Sequence, residues 1–237
     1  MSPVLLGTAL ALGALHTFEA DHLAAVSAFV VRRPRPAEAL GYGLRWALGH
    51  GGTIVVLGTL LVLARLHLPE ATGHVLERIV GVSLVGLGAW VFLSARRFHA
   101  HVHVHADGRS HSHLHAHPPN ASHPVPRSTS ARGDASTGNP DDHGHAHAAT
   151  AMGALHGLAG TGAAVALLPV AATDGPGPTL LYLLAFGLGT GACMGLYALS
   201  AGWLAGRAAH RSGALGRTLA RLAGLGSAAV GVLWLVG

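Results

Sequence analysis

The chain has 237 residues, half of them hydrophobic and only 11% charged, with a mean hydropathy of +0.45. Soluble domains carry about 25% charged residues, so a deficit this deep excludes an ordinary water-facing surface and points to lipid. The formal charge of +5 comes with 15 basic residues, all arginine and mostly gathered at the ends of and between apolar segments, which argues against a nucleic-acid patch.

Six segments reach the roughly 17–25 apolar residues needed to cross a hydrocarbon core. They lie at 3–31, 40–65, 79–95, 149–173, 179–206 and 214–236. The first lacks a basic n-region, is too long for a signal peptide and carries His16, Glu19, Asp21 and His22, so it is expected to remain as a helix. Ionisable groups at bilayer depth are costly and usually mark a substrate pathway. Two imidazoles and a carboxylate within seven residues suit a borderline divalent ion such as nickel, cobalt or zinc. On a straight helix, however, Asp21 and His22 point about 140° and 240° away from His16. Either the helix unwinds near residues 17–20, or only some of the three are ligands. Glu19 is a candidate to brace a ligand or to pair with Arg45 of the second segment, and either residue could instead meet lipid headgroups.

The second segment also carries Leu48-Gly49-His50-Gly51-Gly52. Those glycines permit close helix packing, and they equally allow a ligand's backbone to approach an ion. After the third segment comes a hydrophilic insertion, residues 98–148, holding twelve histidines: His99, His101, His103, His105, His111, His113, His115, His117, His123, His143, His145 and His147. Pro, Ser, Asn, Asp and Gly fill the remainder, so a disordered loop is expected. In an extended chain alternate residues share a face, so a His-x-His run can present neighbouring imidazoles to one ion. The expected role is metal collection on the cytoplasmic side.

The fourth segment contributes His156, a fifth candidate ligand, which alone would as readily be a hydrogen-bonded core histidine. Thr53, Thr161 and Thr190 are further candidates to brace the ligands. Cys193 is the sole cysteine, which excludes an internal disulfide or a thiolate cluster.

With six spans, the connections after the first, third and fifth share one side of the membrane and, with Arg217 and Arg221 at the start of the sixth span, hold twelve arginines. The positive-inside rule places that side in the cytoplasm and both termini outside. A shift of 140 residues aligns Gly13-Ala14-Leu15-His16 with Gly153-Ala154-Leu155-His156, and Leu40, Tyr42, Leu44, Leu48, Gly49 and Gly51 with Leu180, Tyr182, Leu184, Leu188, Gly189 and Gly191. A shift of 143 aligns Arg78, Gly81 and Gly88 with Arg221, Gly224 and Gly231. Each copy holds three spans, an odd number, so the copies enter the membrane from opposite sides. The expected fold is an all-α membrane protein of six transmembrane helices in two inverted three-helix repeats, residues 1–97 and 149–237, flanking the 98–148 loop. Inverted repeats are a transporter plan with the substrate site near the midplane.

His16-x4-Asp21-His22 followed by Leu48-Gly49-His50 resembles the nickel/cobalt transporter (NiCoT/NicO) superfamily, in which these two elements recognise the metal. The segment Leu155-His156-Gly157-Leu158-Ala159-Gly160-Thr161-Gly162 is similar to related urease accessory or nickel permease-like membrane proteins. The chain departs from longer members, which have eight spans, and carries Gly51 where many members have Ser. The resemblance implies Ni²⁺ or Co²⁺ as transported substrate, with no prosthetic group. It implies an inner-membrane location in a bacterium. Expected partners are membrane lipid, the ion, and a metallochaperone or a urease or hydrogenase maturation system; Gly-rich helix faces would permit a homodimer. No G-x4-G-K-[ST] loop or His-Glu-x-x-His segment is present, so no enzymatic activity is expected. The rival readings are an accessory protein that does not transport, an exporter of zinc, or a carrier of a small anion using Arg45.

Overall fold

The computed structural model describes residues 2–32, 35–64, 70–95, 98–104, 110–116, 140–159 and 175–237. Among these, seven helices follow in order: α1 (Pro3–His16), α2 (Ala20–Val30), α3 (Pro36–Ala64), α4 (Glu70–Ser94), α5 (Pro140–Leu158), α6 (Pro176–Arg211) and α7 (Gly213–Val236). A two-stranded hairpin, β1 (Phe98–Val104) and β2 (Ser110–Ala116), lies between α4 and α5. Four helices (α3, α4, α6 and α7) are long and apolar enough to cross a membrane, and the bent pair α1–α2 makes a fifth if taken as one span. The protein is a multi-pass membrane protein.

The distribution of apolar side chains agrees with lipid as solvent. Leu48, Leu188, Leu196, Val82, Leu93 and Leu233 point outward, while the interior holds Trp46, Tyr182, Phe186 and Leu84 beside small residues and buried polar groups. Such a surface would be a severe liability in water. Helix α6, with 36 residues, spans about 54 Å at 1.5 Å per residue, more than a hydrocarbon core. Its last turn carries His210 and Arg211, cations that suit the negative end of a helix.

Helix α3 packs along α6, α4 along α7, α1 on α6 and α5 on α3. These contacts are close because glycines sit at the crossings, and they come in reciprocal pairs. A Cβ on Gly13 would strike the carbonyl of Phe186, and one on Gly153 would strike that of Trp46. Gly49 meets Thr150 as Gly189 meets Leu10. Likewise Gly81 approaches Gly231 while Gly88 approaches Gly224, so α4 and α7 run antiparallel. Each member of a pair is the other's counterpart under the 140- or 143-residue shift.

Three points are decided by the structure. The first segment is broken near residues 17–20, one of the two alternatives that its spacing left open. The fourth begins at Pro140, inside the stretch expected to be loop, because Pro140 followed by Asp141 and Asp142 is a favourable helix start; residues 160–174 of that segment lie outside the described residues. Third, the insertion contains the hairpin. Its antiparallel register sets His99 opposite His115, His101 opposite His113 and His103 opposite His111, which places all six positions on one face. Alternation of His with Val102, Val104 and Leu114 supplies the strand periodicity. His105, His117 and His123 lie outside the described residues, and His143, His145 and His147 belong to the first half of α5.

Candidate metal centre

The site begins with the break between α1 and α2, whose axes differ by 61°. Helix α1 ends at His16, and Glu19, with φ −60° and ψ 141°, redirects the chain into α2. No Gly or Pro stands at Thr17-Phe18-Glu19, so the break is held by hydrogen bonds from elsewhere. The buried Thr17 hydroxyl lies 3.2 Å from Gly13 O on its own helix and 3.3 Å from Thr190 O on α6. Thr190, also buried, returns its hydroxyl to Gly13 O (3.0 Å) and to Phe186 O (3.1 Å). The His16 carbonyl, freed by the break, accepts the Glu19 N–H and the His22 Nδ1–H, both at 3.1 Å.

This break resolves the geometric problem of a straight helix. His16 stands on the last turn of α1, Asp21 and His22 on the first turn of α2, His50 midway along α3 and His156 near the end of α5. All five are buried, none above 6% exposed. Ring centroids of His22 lie 4.5 Å from His16, 4.8 Å from His50 and 5.8 Å from His156. Asp21 Oδ2 stands 3.7 Å from His22 Nε2 and 3.8 Å from His156 Nε2. Asp21 also gains from the positive end of α2.

The outward nitrogens of three imidazoles are pinned. His16 Nδ1 donates to Glu19 Oε1 (2.8 Å), His22 Nδ1 to His16 O (3.1 Å) and His156 Nδ1 to Met152 O (2.8 Å). Carboxylate and carbonyl oxygens only accept, so each neutral ring carries its proton on Nδ1 and presents a lone pair at Nε2. The His16 and His50 Nε2 atoms come within 3.1 Å. Among the described residues, His156 Nε2, His50 Nδ1 and Asp21 Oδ1 are buried without a hydrogen-bond partner. Lone pairs thus converge with too few donors among them, an arrangement that a divalent cation satisfies. Ligand atoms of His16, His22 and His50 all lie within 4.8 Å of one another. A tetrahedral shell with bonds of about 2.1 Å spaces its ligands about 3.4 Å apart, so small side-chain movements would close it.

Two aromatic rings wall the centre and were not anticipated. Trp46 stacks on His50 at 4.9 Å and 10°, and meets His22 edge-on at 4.8 Å. Phe186 packs on His16 at 5.4 Å. A signal for both existed: Trp46 precedes His50 by one helical turn, and the 140-residue shift carries it onto Phe186. Glu19 pairs with His16, while Arg45 lies on the exposed side of α3. Thr53 bonds back to Gly49 O within its own helix (2.9 Å), Thr190 braces the break, and Thr161 lies outside the described residues.

No family profile matches the sequence, and no solved structure matches it either. Over 179 residues the chain is 30% identical to the urease accessory protein UreH of Bacillus sp. (strain TB-90), a match spanning 76% of this chain and 68% of that protein.

Proposed function

This chain belongs to the family of the urease accessory protein UreH, and on that premise we propose that it carries a divalent transition-metal ion, nickel or cobalt, across the bacterial inner membrane. The observation that carries the reading is the convergence of four buried imidazoles and Asp21 at a broken helix, with three rings held so that Nε2 faces inward. Second partners of this kind fix the tautomer of metal-binding histidines and raise their basicity. Imidazole suits nickel, cobalt and zinc, and Asp21 offsets part of the ion's charge.

The same proposal includes six spans in two inverted repeats, with both termini outside and residues 98–148 in the cytoplasm collecting metal. The reciprocal glycine contacts support a two-fold relation between the halves, and the arginine distribution supports the orientation. The register of the hairpin, which pairs His99, His101 and His103 with His115, His113 and His111, supports the collecting role. We propose no enzymatic step and no resident prosthetic group. A homodimer and a metallochaperone partner remain part of the proposal.

A second reading is favoured by the relative's name: an accessory membrane protein that binds metal and passes it to urease maturation proteins without moving it across the bilayer. Small-anion carriage is disfavoured because Arg45 stands outside the centre. The test is cellular nickel and cobalt content over time in a metal-sensitive bacterial host, comparing wild type with Asp21→Asn. Content that rises with wild type alone means uptake, and content that falls means export. Flat content for both metals, with metal bound by the purified protein but not moved into reconstituted vesicles, replaces transport with the accessory reading.

A further inference from the structure

The donor atoms around the break fall into two overlapping sets. One is His16, His22 and His50, all buried, with their ligand atoms within 4.8 Å of one another. The other is Glu19, Asp21 and His22, equally close, in which Glu19 is only partly buried. The His16 ring separates them. Its Nε2 faces His50 at 3.1 Å, while its Nδ1 faces Glu19 at 2.8 Å on the opposite edge of the ring. Glu19 therefore stands behind His16 as seen from the imidazole set. Its side chain is 32% exposed, against 3% for His16 and 4% for Asp21. Asp21 brings a buried carboxylate whose Oδ1 has no hydrogen-bond partner among the described residues. Glu19 spends one oxygen on His16, which leaves the other available.

The two sets differ in chemistry as well as place. Two carboxylates and one imidazole make a charged, oxygen-rich position that compensates a hydrated dication as it sheds water. Three neutral imidazoles make a nitrogen-rich position that prefers nickel, cobalt or zinc over harder ions. Building on the metal-transport reading, we propose that Glu19, Asp21 and His22 form a second metal position at the exposed edge of the centre, sharing His22 with the inner imidazole position. An ion passes between them by exchanging the carboxylates for His16 and His50 while His22 stays bound. Sharing His22 means that one ion occupies the pair at a time.

The test uses the purified full-length chain with two probes, Mn²⁺ followed by its electron paramagnetic resonance signal and Ni²⁺ followed by calorimetry. Mn²⁺ favours oxygen ligands and so reports the outer position above any histidine-rich background. Glu19→Gln is the decisive variant, because its amide oxygen still accepts the His16 Nδ1 proton but is a poor ligand. Mn²⁺ affinity is expected to fall about 10-fold or more in Glu19→Gln, a larger fall than Ni²⁺ affinity shows as His16 exchanges its carboxylate partner for an amide oxygen. The double variant His16→Ala/His50→Ala is expected to reverse the pattern, keeping Mn²⁺ while losing Ni²⁺ affinity about 10-fold or more. Unchanged Mn²⁺ binding in Glu19→Gln overturns the second position while leaving the imidazole centre standing. Loss of Mn²⁺ binding in a His16→Ala/His50→Ala protein that still elutes as folded material also overturns it. Ni²⁺ binding indifferent to His16 and His50 removes the metal-transport reading itself, and the two-position inference with it.

Discussion

Gly153→Ala tests whether backbone contact between helices positions the centre. In an exposed helix this change stabilises by up to about 1 kcal/mol, the propensity difference between Gly and Ala. At Gly153 the new Cβ would overlap the Trp46 carbonyl oxygen and sit 3.0 Å from the Trp46 Cα. Backbone cannot rotate aside as a side chain does, so α5 and α3 must part by about 1 Å or more. Overpacking of this kind costs about 1–3 kcal/mol, which outweighs the propensity gain. The expected net effect is a destabilisation of about 1–2 kcal/mol, read as a lower midpoint in detergent unfolding titrations. Gly13→Ala, which meets the Phe186 carbonyl, is expected to match it. Gly86→Ala, whose Cβ meets nothing within 4 Å, is the control and is expected to be neutral or stabilising. Because α5 carries His156 and Trp46 stacks on His50, Gly153→Ala should also weaken Ni²⁺ binding. An unfolding midpoint for Gly153→Ala at or above that of Gly86→Ala refutes the reasoning.

Trp46→Leu is expected to lower Ni²⁺ affinity about 10-fold, since Trp46 stacks on His50, whose Nδ1 has no hydrogen-bond partner among the described residues, and helps to hold the ring; Trp46→Phe should restore most of it, and calorimetry distinguishes the two. Thr190→Val removes a hydroxyl that bonds Gly13 O across the break, and interhelical hydrogen bonds in membranes contribute about 0.6 kcal/mol on average. A similarly small loss of stability is expected in the same unfolding titration, together with a lower Ni²⁺ affinity as the break relaxes. Asp21→Asn keeps the shape of the side chain but removes a buried carboxylate, and should abolish metal-dependent changes in cellular content with normal membrane expression.

Much of the centre was legible because membrane burial makes polar residues conspicuous. His16, Asp21, His22, His50 and His156 stand out in apolar segments, where each needs a reason to exist, and the structure brings all five together. The apolar runs also gave α3, α4, α6 and α7 to within about ten residues, since helix length follows bilayer thickness. The need for His16, Asp21 and His22 to converge offered a break near residues 17–20 only as one of two alternatives, and local sequence could not choose between them. Thr17, Phe18 and Glu19 include no helix breaker, and the bend depends on Thr190, 173 residues further along the chain. The His22 tautomer was equally out of reach, because its acceptor is the His16 carbonyl across the break, whereas His156 bonds the Met152 carbonyl one turn back on its own helix. Composition and periodicity thus determined that this chain lives in a membrane and holds costly polar groups there. Only the packing of α1, α2, α3, α5 and α6 decided that those groups face one another, since convergence is a property of helix crossings and not of spacing along a single helix.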